Sequence, residues 1–404
     1  MKLDSSKLLS IFYLIAAFFL RPTAFGSNYT FIGLLMVSSI TLTYLIINFK
    51  DKIKINVIGS NLIIFGIFLL FIIYELSISL YFGNSNLRFL AGDFIAQLII
   101  FLCYLVFLLN SRNNEIFFSY LAKLIAFFGW SSLITLILFN FSSPENFLIF
   151  NYQMNDYPHT GDVVEAGQVY FPLSMTYDYI FQSDLIGLYR FSGFFRESGI
   201  FAAICCFVYI YSVLIGLSKS VQWGAALGII LSFSTSGYFV FLTSIIFLYL
   251  LRNKTSIIKK ISIFILAIFS LFAAFQAPVV GLKYKASTEG YSDSVDRRSD
   301  ALIKGIQKTI ENPFGDGMYS AKEENTGVNL IANIGSIGII GFLLQIILMS
   351  GFRFSFDKIF KLRFIILSPV FITILLAQSI ATTPYMYILI FIRPLAIPEK
   401  NEVN

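Results

Sequence analysis

Apolar runs of about twenty residues recur along this chain, and about twenty is the length an α-helix needs to cross a hydrocarbon core. Of 404 residues, 57% are hydrophobic and only 13% charged, roughly half the charged share of a soluble domain. The expected fold class is therefore all-α: a polytopic integral membrane protein, with residues 1–404 forming one membrane domain of about twelve transmembrane helices.

The charges between the runs set an orientation, because Lys and Arg collect on the cytoplasmic side. Lys2 and Lys7 precede the first run, Leu8–Leu20. Many further spans follow it, so it reads as a retained first helix with a cytoplasmic N-terminus, not a cleaved signal peptide. The next runs are Tyr29–Phe49, Val57–Leu80, Phe89–Leu109 and Ile116–Phe139, with Lys50, Lys52 and Lys54 marking an inner turn. Residues 140–197 then form the first extracytoplasmic loop. From Asn140 to Tyr189 it holds six acids (Glu145, Asp156, Asp162, Glu165, Asp178, Asp184) and no Lys or Arg. A loop of that length is expected to work as a lid or a binding element.

Ser198–Leu217 returns to Lys219, and 32 apolar residues separate Lys219 from Arg252. An even number of passes is required there. The chain is expected to break at Ser232–Gly237, whose hydroxyls satisfy freed backbone groups. Ile261–Val280 leads out to the second extracytoplasmic loop, residues 281–328, with seven Lys/Arg against eight Asp/Glu. Asn329–Phe352 comes back to Arg353, Lys358, Lys361 and Arg363. Phe364–Ile397 is read as two crossings interrupted at Thr382–Pro384, which leaves the C-terminus cytoplasmic too.

Several function classes drop out. No basic run is long enough to track nucleic acid. Cys103, Cys205 and Cys206 lie inside apolar runs without disulfide or metal spacing. His159 is the only histidine, which excludes a multi-histidine metal centre; it reads as a loop residue. No Walker loop, HExxH or dinucleotide fingerprint is present, and no cofactor or metal is expected.

The charged candidates lie at the loop ends. Arg190, Arg196 and Glu197 close the first loop, just where the chain enters an apolar span, a place where charge is costly and usually functional. Arg297 and Arg298 lie in the second loop, on a helical stretch Ser294–Glu311 with Val295, Leu302, Ile306 and Ile310 along one stripe. Arg298 falls on that stripe and Arg297 beside it with Lys304 and Lys308, so a helix on the membrane surface aims Arg298 inwards. Asn312–Gly317 follows, a turn whose Gly315 and Gly317 are expected to expose backbone N–H groups. Arginine suits phosphate because its planar fork binds bidentately and stays charged when desolvated. The bland alternatives are a salt bridge at a helix end, a solvated helix and a plain helix terminator. Glu75 and Asp93, near the outer ends of their spans, either line the site or pair locally with Arg88. Lys123 snorkels.

Arg190-x-x-Gly193-x-x-x-Glu197-Ser198, with Ala203 after it, resembles the loop-exit signature of bacterial O-antigen polymerases (Wzy) and their O-antigen ligase relatives. Leu231–Gly237 is similar to that superfamily's Ser-Arg-Gly break, with Thr235 and Ser236 where an arginine often stands. Arg298 with Asn312-Pro-x-Gly-x-Gly317, then the glycine-rich 331–341, resembles its second-loop signature. The resemblance implies a metal-independent membrane glycosyltransferase of lipopolysaccharide or capsule biosynthesis, in the bacterial cytoplasmic (inner) membrane. Its donor and acceptor would be undecaprenyl-diphosphate-linked oligosaccharides. Arg190, Arg196 and Arg298 would hold the donor diphosphate, with Arg297, Gly315, Gly317, Asn325, Glu75 and Asp93 lining the substrate site. Glu197 would either take the acceptor hydroxyl's proton or orient Arg196. Partners on this reading are the lipid bilayer and a chain-length regulator. Ligases carry a histidine after the Gly-x-Gly, where this chain has Glu323, Glu324, Asn325 and Asn329, which favours a polymerase. The reading of another class is a lipid-oligosaccharide flippase or transporter, which also has about twelve spans but would place charge at the midplane of inverted repeats.

Overall fold

The computed structural model describes residues 5–49, 59–82, 87–155, 163–182, 187–252, 258, 261–262, 265, 292–318, 329–350, 358–378 and 380–393. Twelve helices lie among them: α1 (Ser5–Ala17), α2 (Ala24–Phe49), α3 (Gly59–Phe82), α4 (Leu87–Leu108), α5 (Ser111–Phe139), α6 (Ser198–Ile215), α7 (Lys219–Leu231), α8 (Thr235–Arg252), α9 (Ser292–Glu311), α10 (Ile334–Met349), α11 (Lys358–Leu376) and α12 (Pro384–Leu389). Five of the helices, α2 to α6, are long and apolar enough to cross a membrane. Their burial differs as their positions do. The α2 window is 22% buried and carries exposed Phe31, Leu35, Leu42 and Ile46, whereas the α6 window is 83% buried. A helix apolar all round and enclosed is the centre of a bundle; one apolar and open faces lipid.

α6 therefore sits at the hub, and small residues let its neighbours approach. On α7, Gly224 meets the Ala126 carbonyl of α5. One turn later, a Cβ on Gly228 would come 2.6 Å from Cys205 Sγ of α6. This four-residue spacing of glycines is how membrane helices gain contact without a hydrophobic drive between them. Cys205 and Cys206 are fully buried and act as small packing residues.

The all-α expectation needs correction. The first loop folds into a four-stranded antiparallel sheet in the order β1 (Leu148–Asn155), β2 (Val163–Tyr170), β3 (Ser174–Gln182), β4 (Gly187–Phe191). Side chains of the bundle pin it down. Thr135 Oγ1 on α5 donates to the Phe171 carbonyl at 2.8 Å and lies 2.6 Å from Ser174 Oγ, while the Leu173 N–H donates to Ser131 Oγ at 3.0 Å. Asn28 Nδ2 donates to the Gln153 carbonyl at 2.7 Å. Tyr152 donates to the Ala24 carbonyl, and burial pushes its phenol up to about 12. What reads as a long loop carries a sheet anchored to the bundle, which ends at β4 next to the charged exit.

The expected break after α7 is present, centred on Ser232–Ser234, where Phe233 takes φ 44°. Ser232 Oγ donates to the Ile229 carbonyl and Ser234 Oγ accepts from the Gly237 N–H, so hydroxyls satisfy the interrupted backbone. The last expected crossing differs. Its helix, α12, is six residues long, or about 9 Å. The chain runs on from Tyr385, whose N–H bonds the Arg21 carbonyl, to Arg393, whose N–H bonds Asn114 Oδ1 at the start of α5. Every residue of α12 is buried, and a short helix with irregular ends is tolerated where protein, not lipid, surrounds it. Of the span expected at Ile261–Val280, only Ile261, Ser262 and Ile265 are described, as helical and exposed; the rest of it, with Lys254 and His159, lies outside the described residues.

Candidate functional site

Two short segments between helices hold the end of the first loop in place. Residues 194–196 run antiparallel to residues 22–24: the Ala24 N–H donates to the Phe194 carbonyl at 2.9 Å and the Arg196 N–H to the Pro22 carbonyl at 3.0 Å. Gly193 turns the chain into this pairing with φ 57°, and a Cβ there would lie 2.7 Å from the Phe201 ring. Both facts exclude a larger residue without rearrangement.

Glu197 then occupies the N-cap of α6 but does not cap it. Its carboxylate instead accepts a hydrogen bond from Gln378 Nε2 at 2.5 Å, in the break that follows α11. Gly199, the second residue of α6, lies under the same cluster: its Cβ position is 3.3 Å from Gln378 Nε2 and 3.4 Å from both Ser234 Oγ and Ser236 Oγ. Those two hydroxyls are 2.9 Å apart. Arg190, half-buried at the end of β4, acts electrostatically on the Tyr238 hydroxyl at the start of α8. The structure thus gathers Arg190, Glu197, Gln378, Ser234, Ser236 and Tyr238 where three interrupted helices and the sheet converge. Arg196 is half-buried beside Glu197. Positive charge and a helix N-terminus at one place make a setting for an anion.

The second loop rejoins the bundle at the same helix end. The Leu330 N–H donates to the Ile374 carbonyl at 2.9 Å and Asn329 Nδ2 to the Leu376 carbonyl at 3.2 Å, just ahead of Gln378. Its Gly-x-Gly turn does not act as expected. The Gly315 N–H bonds the Asn312 carbonyl, Asp316 N–H the Gly335 carbonyl, Gly317 N–H the Ser336 carbonyl, and Met318 N–H the Glu75 carboxylate at 3.3 Å. All four are engaged inside the fold and none is left for a bound ligand. The glycines are needed because the turn lies flat on residues 336–338 with φ 83° at Gly315 and 86° at Gly317.

Glu75 is fully buried, and with Tyr74, whose hydroxyl donates to the Phe314 carbonyl at 2.8 Å, it clamps this turn to α3. Asp93 accepts from Gln97 Nε2 at 2.6 Å on α4. Arg297 and Arg298 lie on α9, which docks through Gly305 against Ala332 and leaves Ile303, Ile306 and Ile310 exposed. The side chains of both arginines, and Asn325 with Glu323 and Glu324, lie outside what is described. Sequence reasoning missed Gln378; its only signal is one amide in an apolar stretch beside a helix break.

A chain with five long apolar helices, most of its remaining structure helical too, is a multi-pass membrane protein. Comparison with protein-family models, curated proteins and solved structures gave no match in any of the three.

Proposed function

We propose that this chain is a membrane-embedded glycosyltransferase that polymerises undecaprenyl-diphosphate-linked oligosaccharide repeat units into a surface polysaccharide, O-antigen or capsule. The reading places both loops on the outer face of the bacterial cytoplasmic membrane. One observation carries it: the exit of the first loop and the end of α11 meet through the Glu197–Gln378 hydrogen bond, with Arg190 and the α6 N-terminus alongside.

An acceptor hydroxyl attacks the anomeric carbon of the donor sugar. The new glycosidic C–O bond forms as the bond to the diphosphate breaks, and undecaprenyl diphosphate departs with the electron pair. Arg190, Arg196 and, from the second loop, Arg298 balance the charge that builds on the leaving oxygens, where fixed cations act most strongly. Glu197 takes the acceptor proton. Gln378 holds the carboxylate in one orientation, so no reorganisation is needed at the moment of transfer.

Purified protein in lipid nanodiscs, given only lipid-linked repeat units, should yield longer chains, and Arg298→Ala should cut the rate by about 10²-fold or more with unchanged expression. Translocation of the repeat unit without elongation would overturn the assignment in favour of a transporter.

A further inference from the structure

Arg21 belongs to no motif of the sequence, and it is the only charged residue between Lys7 and Lys50. It follows the first apolar run, at the opposite end from Lys7. Lys and Arg collect on the cytoplasmic side, so on the orientation proposed above Arg21 is a cation where cations are scarce. The fold carries it to Glu197. Residues 22–24 pair with 194–196 through the Thr23–Phe195 bridge, and the Arg196 N–H donates to the Pro22 carbonyl at 3.0 Å. Arg21 and Glu197 therefore adjoin the same end of this short antiparallel pair.

The break after α11 closes on both residues. The Tyr385 N–H donates to the Arg21 carbonyl at 3.1 Å, and Gln378 Nε2 donates to the Glu197 carboxylate at 2.5 Å. The rings of Phe18, Phe195 and Tyr385, all buried, pack on one another with centroids 5.6 to 6.3 Å apart, so the three segments form one unit. α2 presses on the same turn: a Cβ on Gly26 would lie 2.4 Å from the Arg21 nitrogen. Thr23 Oγ1 donates to the Phe18 carbonyl at 2.6 Å and accepts from the Gly26 N–H at 3.0 Å. The main chain at Arg21 is thus fixed on several sides, while its side chain, like that of Arg196, is half-buried. Both arginines adjoin the N-terminus of α6, where no side chain caps the helix and the helix dipole favours an anion. A guanidinium takes one phosphate by its fork, so two of them on adjoining segments suit two linked phosphates.

We propose that Arg21 is a binding residue of the candidate site and forms, with Arg196, a clamp for a diphosphate carried on a lipid. The headgroup is then gripped from the turn between α1 and α2 as well as from the exit of the first loop. The clamp rests on the glycosyl-transfer reading for the identity of its lipid, but binding alone tests it.

The test titrates undecaprenyl diphosphate and undecaprenyl monophosphate onto the full-length purified protein, read by native mass spectrometry, with inorganic diphosphate as competitor. The diphosphate lipid should bind more tightly than the monophosphate, and inorganic diphosphate should displace it. Arg21→Ala should weaken its binding about 10- to 100-fold at unchanged Tm, because the bond to Tyr385 uses the main chain of residue 21. Arg21→Lys keeps the charge and gives up the fork, so it should fall between the two. Undiminished binding in Arg21→Ala, or in Arg21→Lys where the alanine variant does not fold, would overturn the proposal. So would equal affinity for the two lipids, or no competition by inorganic diphosphate. The two readings fail separately. Arg21-dependent binding without elongation would sink the polymerase and leave the clamp, whereas elongation by Arg21→Ala at native kcat and KM would sink the clamp and leave the polymerase.

Discussion

The two loop exits look alike as sequence and differ as structure. Each is a short glycine-bearing stretch ahead of an apolar helix, and each turns on a glycine with positive φ, Gly193 in one and Gly315 and Gly317 in the other. At the first exit the glycine clears the Phe201 ring, and Glu197 after it reaches sideways to a neighbouring helix break. At the second the glycines let two backbones touch, and every N–H from 315 to 318 is engaged within the protein. One exit presents side-chain chemistry while the other is a backbone lock. Glycine spacing alone cannot distinguish them; only following each N–H to its acceptor does.

That contrast can be broken in order of expected effect. Glu197→Gln keeps the shape of the first exit but removes the proton acceptor, and elongation by purified protein should fall by about 10²- to 10⁴-fold at unchanged Tm. Gly315→Ala strikes the lock. Its Cβ would collide with the Gly338 N–H and the Ser336 carbonyl at a left-handed φ, a strain of about 1–3 kcal/mol. Thermal unfolding should show the loss, with activity per folded molecule nearly preserved. If Gly315→Ala instead abolishes activity in fully folded protein, the second exit is chemical after all. Thr135→Val, which unties the sheet from α5, should have the smallest effect, about 1 kcal/mol, read as faster hydrogen exchange across residues 170–176.

Much of this was legible in the chain. The long spans follow from apolar length alone, and the Ser232–Gly237 break followed from an apolar stretch too long for one pass and too short for two. The placement of Glu197 at the mouth of α6 followed from where charge meets apolar sequence. The sheet was missed, although Ser174–Gln182 alternates with Met175, Tyr177, Tyr179 and Phe181 on one side. A strand is fixed by its neighbours and by the Thr135 and Ser131 anchors, which are not local. Gln378 was invisible for the same reason, since its partner lies 181 residues away. The free N–H groups expected at Gly315 and Gly317 failed because their acceptors belong to residues 335–336, which sequence does not pair with the turn.

The claim on which the rest depends is that Glu197 and Gln378 work as one unit. A double-mutant cycle on elongation rate addresses it directly, comparing Glu197→Gln, Gln378→Leu and the pair, each checked for folding by Tm. Coupled residues give strongly non-additive effects, so the double variant should be no slower than Glu197→Gln alone. Losses that simply multiply, or a Gln378→Leu protein that elongates at the full rate, would contradict the account.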